Sequence, residues 1–268
     1  MMRAATLGAA LGAWLAGAAS AAPLESVAAL PAAEIVILGE AHDNPAHHAN
    51  QAEAVARLAP AALVFEMMSP EQAATAERLG PADAAALASA LDWEASGWPD
   101  FAMYHPILAA APEAAIRGAA LPRERVRRAM TDGAAAVFGA DAAAYGLTPL
   151  PPELQAEREA GQQAVHCGAL PEAMLPGMVA AQRLRDAHFA RVALDAFRQT
   201  GGPIAVITGN GHARTDRGIP AALAVAAPDL TVVALGQLES PPDTSPPYDA
   251  WLLTEGVERA DPCAALTE

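Results

Sequence analysis

Glu40 and His42 stand two residues apart at the end of the apolar run Ile35-Val36-Ile37-Leu38-Gly39. In an extended segment, side chains two apart point the same way, so a carboxylate and an imidazole are presented together. Two later stretches end in the same manner. Leu63-Val64-Phe65 runs into Glu66, and Ile204-Ala205-Val206-Ile207-Thr208 runs into Gly209-Asn210-Gly211-His212. Glu40, His42, Glu66 and His212 are ligand types that hold zinc, manganese or iron. With Asn210 as a hydrogen-bond donor, the same four also make a metal-free acid–base set. They come from three distant segments, so only folding can assemble them.

The elements that must position these groups read as short buried strands, each a run of β-branched and apolar residues. In an open α/β sheet, ligands bind beyond the carboxyl ends of such strands. Helical spacing follows the first strand over residues 46–59, where His47 and His48 are expected as solvated first-turn residues, with at most one pointing back to the site. Ser69-Pro70 is an N-cap followed by a first-turn proline. Gly80-Pro81 marks a boundary, and Gly201-Gly202-Pro203 returns the chain to the sheet. The expected fold class is α/β: a mostly parallel sheet flanked by helices, with a helical lobe inserted between the two parts of the core. The core is 23–80 and 201–268, and the mainly helical insert is 81–200.

Within the insert, residues 93–106 concentrate aromatic side chains: Trp93, Trp98, Phe101 and Tyr104, with His105 beside them. They form either a small core or an apolar wall for a flat ligand. A short helix is expected from Pro106 to Ala111 and a short strand from Ala115 to Ala119. Arg123, Arg125, Arg127 and Arg128 open another helix, as a solvated face or as a cationic patch suited to carboxylates. Residues 131–162 have a weak pattern, expected as short helices and a mobile loop around Tyr145. Residues 171–200 carry the longest helical pattern, with Gln182, Asp186 and His188 as polar members and a kink or break expected at Pro176-Gly177. Further strands are expected over 230–235 and, at an edge, over 248–253.

Residues 1–22 read as a secretory signal peptide: Met1-Met2-Arg3, an apolar stretch, then Ala19-Ser20-Ala21. The mature chain is expected to be exported, periplasmic and soluble, with no lipid-carrying cysteine at the cleavage point. Among 268 residues there are 31 acidic and 16 cationic side chains, for a net charge of −15. So acidic a chain repels phosphate backbones, which excludes nucleic acid as a partner class. Every cation is arginine. Cys167 and Cys263 are an even pair that invites a disulfide in an exported protein, with two separate thiols or a thiolate ligand as the alternatives.

Taken in order, Gly39-Glu40-Ala41-His42-Asp43-Asn44, Phe65-Glu66-Met67, Trp93 to Pro106, Ala181-Gln182 with Asp186, Gly209-Asn210-Gly211-His212 and Gly218-Ile219-Pro220 form a series. That series resembles the ChaN-like family of haem-binding uptake proteins over about residues 30–238. The family sits in a superfamily with the Tiki and TraB proteins and the erythromycin esterases. The resemblance implies an α/β core with a helical lobe, haem as the ligand, and a dimer in which two haems stack face to face. It implies iron held by a tyrosine and propionates contacted by a histidine of the partner chain. Tyr104 is the first choice for the ligand and Tyr145 the second, with His105 and His166 as propionate candidates. His42, Asn210 and His212 complete the candidate cofactor site. The implied role is haem or iron uptake without turnover, serving an outer-membrane transport system.

Two departures stand out. Many family members are lipoproteins, and no lipid-carrying cysteine is seen in this chain. The enzymes of the superfamily use residues matching Gly39/His42, Glu66 and His212 for hydrolysis, which keeps a metal-dependent peptidase or esterase using Glu40, His42, Glu66 and His212 as the alternative.

Overall fold

The computed structural model describes residues 22–261, 263 and 264. The expected signal peptide lies outside the described residues except for Ala22. Among the described residues, seven strands form one sheet: β1 (Ala22–Pro23), β2 (Ile35–Glu40), β3 (Ala62–Phe65), β4 (Ala115–Gly118), β5 (Ile204–Gly209), β6 (Val232–Leu238) and β7 (Ala250–Leu253). Every pairing is parallel, in the order β1-β7-β6-β2-β5-β3-β4. The register sets Ile35 of β2 beside Ile204 of β5 and Val232 of β6.

The chain starts near the middle with β2 and steps outward to β3 and β4. It then returns β5 between β2 and β3, and only afterwards builds β6 and β7 on the other side of β2. The direction of winding reverses around β2 and β5, which opens a crevice beyond their carboxyl ends. That is where Glu40 and Gly209 end their strands.

β2 and β5 are buried along their whole length because helices cover both faces. A strand buried on both faces must be apolar throughout, which is why both read as continuous runs. Alternate residues serve opposite layers. Val36, Leu38, Leu63, Phe65, Ala205 and Ile207 pack with α1 (Pro45–Leu58), α2 (Pro70–Leu79), α3 (Ala84–Ala90), α4 (Trp93–Ser96) and α5 (Phe101–Ala109). Ile35, Ile37, Val64, Ile204 and Val206 pack with α6 (Arg123–Asp132), α7 (Ala134–Phe138), α9 (Leu175–Thr200) and α11 (Ile219–Ala226). Between α7 and α9 lies α8 (Pro152–Val165), and α10 (Asn210–Ala213) follows β5 directly. Residues 84–200 thus supply helices to both faces and the edge strand β4, which pairs Ala115 with Ala62.

Helix starts follow local chemistry. The Asn44 side chain accepts from the Ala46 amide, with Pro45 opening α1, and Ser69 with Gln72 closes a capping box on α2. Three expectations need correction. The helix expected at Pro106 begins at Phe101, because the Asp100 side chain caps it, and Pro106 lies inside. α9 is not divided at Pro176, which falls in its first turn, where a missing N–H costs nothing. The strand expected over 248–253 is not the sheet's edge, since β1 pairs along its outer side.

Candidate functional site

At the carboxyl rim, the close approach of three strands is made possible by glycine. A Cβ on Gly39 would lie 2.5 Å from Asn210 Oδ1 and 2.8 Å from the Leu235 carbonyl, and one on Gly209 would lie 2.8 Å from His42 Nε2. Glu40 is buried, and its Oε1 accepts from His42 Nδ1 at 2.6 Å and from the Tyr104 hydroxyl at 3.2 Å. With Nδ1 committed to Glu40, His42 presents Nε2 towards Gly209 and Glu66. Burial disfavours its charged form, but the Glu40 hydrogen bond and the fields of Glu66 and Glu40 outweigh that, so its pKa lies above the ordinary value. Trp98 covers the ring at a centroid distance of 4.7 Å.

Glu66 faces the same space from β3. Its Oε2 accepts from Thr208 Oγ1 at 2.6 Å and the Gly209 amide at 2.8 Å, and Oε1 lies 3.4 Å from His212 Nε2. Burial alone would raise its pKa; His212, His42 and the two hydrogen bonds together lower it. His212 gives its Nδ1 to Asp186 of α9 at 2.6 Å, and the Gln182 amide nitrogen lies 3.1 Å from the same atom. Burial opposes charge on His212, yet Glu66 and Asp186 carry its pKa upward. Two histidine–carboxylate pairs, Glu40–His42 and Asp186–His212, therefore flank Glu66.

His47 and His48 are both buried, contrary to the expectation of solvated side chains. The physical reason is the loop after β2, whose polar backbone they satisfy. His47 Nδ1 accepts from the Ala41 amide at 2.8 Å, leaving Nε2–H for Thr254 Oγ1 at 2.8 Å. His48 Nε2–H donates to the His42 carbonyl at 2.8 Å, and its Nδ1 lies 3.5 Å from Glu40 Oε2. Asn210 spends its side chain on β6, donating to the Gln237 carbonyl and accepting from the Gln237 amide. It braces the loop against β6 with one of its two N–H donors and its carbonyl oxygen.

The expected zinc or manganese cage of Glu40, His42, Glu66 and His212 does not fit this geometry. Glu40 Oε1 and Glu66 Oε2 are taken by protein donors, whereas His42 and His212 each commit Nδ1 to a carboxylate and keep Nε2. Among the described residues, no three His, Cys, Asp or Glu side chains converge closely enough to hold a metal ion.

A second region adjoins the rim. Between α8, α9 and the start of α10 lies a cleft of about 420 Å³, walled by Arg158, Arg183, Arg185, Arg217, His166 and Met178, with Val165 at its mouth. Gln182 and Asp186 line it too, so the cleft and the rim share a wall. Arg183 donates to the Gly146 and Thr148 carbonyls, and none of the four arginines forms an ion pair among the described residues. Arg158 Nε is buried with no hydrogen-bond partner. Burial holds Arg158 and Arg183 below the usual guanidinium range, and for Arg183 the neighbouring Arg158 charge adds to it.

The structure places the other expected residues as follows. Tyr104 is fully buried at the rim, and burial first, then Glu40, drives its pKa far up. Tyr145 is buried against Phe138 and borders a cavity of about 180 Å³ that shares Arg158, Arg183, Asp186 and Arg217 with the cleft. His105 lies on α5 and donates to the Pro81 carbonyl at 2.7 Å, away from both regions. His166 lines the cleft. Cys167 and Cys263 are joined by a disulfide that ties the C-terminal tail to the turn after α8. The arginines of α6 do not line the cleft; those of α8 and α9, with Arg185 and Arg217, escaped the sequence reading. One signal was there: Arg158 has Leu154, Gln155, Gly161 and Gln162 three and four positions away, so no carboxylate pairs with it along the helix.

The sequence matches the profile of the family described as haem-binding uptake, Tiki superfamily, ChaN, over residues 26–223. No curated protein matches. Among solved structures, cofacial haem-bound ChaN of Campylobacter jejuni superposes with a TM-score of 0.59 at 17% identity, covering 81% of this chain and 86% of that one. The type III effector HopBA1 gives a TM-score of 0.41 at 13% identity over 83% and 88% of the two chains. A mutant of the erythromycin esterase EreC in its open conformation gives 0.41 at 14% identity over 80% and 74%. The first likeness shows a shared fold; the other two are too low to argue from.

Proposed function

The chain belongs to the ChaN family of haem-binding uptake proteins in the Tiki superfamily, and on that premise we propose that it is an exported carrier that binds haem in the arginine-lined cleft between α8 and α9. One observation supports this above others. On a chain of net charge −15, four arginines without ion-pair partners gather around one cleft, and a buried Arg158 Nε there lacks any acceptor. A buried donor without a partner costs about 1–3 kcal/mol, so the site is built for an anionic guest.

Haem fits these residues. The guanidiniums would hold its propionates in charge-assisted pairs, and Met178, Val179 and Val165 would supply apolar surface. A volume of about 420 Å³ lies within the range of ligand pockets, roughly 300–1,000 Å³. Val165 is 74% exposed, and Met174 nearby in sequence is 41% exposed, which leaves apolar surface for a second copy to cover when haem is bound. Export and delivery to a haem uptake system complete the reading.

The test is haem titration of the mature protein, followed by absorbance and by size-exclusion mass. Saturable binding with a mass near two chains is expected. Replacing Arg158 and Arg217 together by alanine should weaken binding by roughly 10²–10⁴-fold, at about 1.5–3 kcal/mol for each of two charged hydrogen bonds. Binding untouched by that pair would overturn the site.

One geometry favours a second reading, hydrolysis by general-base catalysis. His42, oriented by Glu40, directs Nε2 into the space shared with Glu66 and His212, as a base that activates water must. The same preparation, assayed with a model ester and peptide, decides it: turnover lost in His42→Ala would establish an enzyme.

A further inference from the structure

Helix α8 is the least fastened wall of the arginine-lined cleft. It buries none of its residues. Among the described residues, its side-chain hydrogen bonds stay within the helix or the turn that follows it. Gln155 donates to Glu159, Gln163 to the Gly168 and Leu170 carbonyls, and His166 to the Gln162 carbonyl. No ion pair among the described residues reaches it. Yet Arg158, Gly161, Gln162, Val165 and His166 line the cleft, so a shift of α8 changes its width. An element with few buried groups and no hydrogen bonds to its neighbours opens at low cost.

The fold fastens α8 at its far end. Cys167, in the turn after the helix, is bonded to Cys263. The segment that carries Cys263 is pinned to the rim. Thr254 donates its amide to the Leu238 carbonyl, and the Glu255 carbonyl accepts from Asn44 Nδ2 at 2.9 Å. Arg259 donates to both carboxylate oxygens of Asp43 and of Glu239 at 2.5–2.8 Å. Cys263 follows Arg259 by four residues, a reach of at most about 14 Å. The bond therefore ties the end of α8 to the loop that carries His42.

We propose that the segment after β7 is a clasp that holds α8 against the cleft, and that a dithiol opens it by reducing Cys167–Cys263. The release of ligand on opening rests on haem binding in that cleft. Both cysteines are half-buried, so a thiolate can reach the bond. Cys167 stands at φ 58°, unfavourable for a residue with a side chain, and cutting the bond frees the turn to leave that conformation. In the oxidising compartment of an exported protein the clasp is closed. Reduction moves two electrons and two protons from the dithiol to the Sγ–Sγ bond, leaving two thiols here and one disulfide on the reductant. Helix α8 is then held by packing alone.

The experiment compares wild type, Cys167→Ser/Cys263→Ser and Arg259→Ala. Amide hydrogen exchange is read over α8, α9, β2 and β5, for wild type with and without dithiothreitol. Haem release is read separately, as transfer of ferric haem to excess apomyoglobin from wild type and the double variant. Reduction or the double substitution should speed exchange in α8 by at least about tenfold and leave α9, β2 and β5 unchanged. Arg259→Ala should speed it less, because the bond remains while its anchor is lost. Haem release from the double variant should be at least about threefold faster. Equal α8 exchange with the bond intact and cut would overturn the clasp. Loss of protection in β2 and β5 as well would overturn it too, since the bond would then serve the whole fold. Unchanged exchange in Arg259→Ala would remove the anchor and the clasp with it. Unchanged haem release despite faster α8 exchange would overturn the gating. No saturable haem binding by wild type would overturn the carrier reading and the release step together, while the exchange contrast still decides the clasp.

Discussion

The strand-end rim and the α8–α9 cleft share a wall at Asp186 and Gln182, yet they treat charge in opposite ways. At the rim, the buried carboxylates Glu40, Glu66 and Asp186 face His42 and His212 at 2.6–3.4 Å, and Thr208 and Gly209 supply further donors. In the cleft, four arginines stand without a carboxylate partner, and one of their donors is buried unmatched. The rim pairs most of its charged groups within the protein, although Glu40 Oε2 and His48 Nδ1 are buried without a hydrogen-bond partner. Among the described residues, the cleft gathers cations with no carboxylate within ion-pair distance. The two regions differ in the sign of the charge they gather and in how much of it the fold pairs.

The contrast is sharpest in stability. Glu66→Ala removes the acceptor of Thr208 and Gly209 and strands His212 beside Asp186, so unfolding free energy should fall by about 3–5 kcal/mol in denaturant titration. A loss below about 1 kcal/mol would mean that the rim is not a mutually dependent network.

The pH dependence separates the regions further. His42 has a folded pKa raised above the ordinary imidazole value of 6.5, so its contribution to stability is fully present below about that pH and fades as pH rises through the raised value. Glu66 runs the other way: its lowered pKa contributes above about 4.5 and is lost on acidification. His47 and His188, lowered by burial, His188 to about 4, oppose the His42 trend, so the wild-type curve alone mixes signs. The stability difference between wild type and His42→Gln isolates it. That difference should be largest near pH 6 and shrink towards pH 8.5; a constant difference would deny His42 its charged partner.

The smallest effect belongs to the cleft. Arg158→Met keeps the apolar stem and deletes a donor that has no acceptor, so without ligand it should change stability by less than about 1 kcal/mol, or raise it. A loss comparable to Glu66→Ala would show that the arginine is part of the protein's own scaffold and erase the distinction.

How much of this was legible in the sequence follows from where each signal lives. β2 and β5 were readable because a parallel strand buried on both faces must be apolar throughout, and their ends therefore announced Glu40, His42 and His212. Ser69 and Asn44 marked helix starts through local capping. By contrast, α8 buries none of its residues, so it has no apolar stripe to betray it and was read only as part of a weakly patterned stretch of short helices and loop. The cleft it builds was hidden with it. Tyr104, chosen as an open ligand from its aromatic surroundings, is fully enclosed, because the residues around it pack into the core under α1 and α5.

The sequence by itself determined the α/β class, the strands that end in ligand-type residues and the family, all properties of local pattern and ordered motifs. Only the tertiary structure decided that Asp186 orients His212 across 26 residues, that Glu66 reaches Thr208 across 142, and that Asn210 braces β6. It alone decided which cations go unpaired. Pairing depends on distances between segments far apart in the chain, and those distances exist only once the layers have packed.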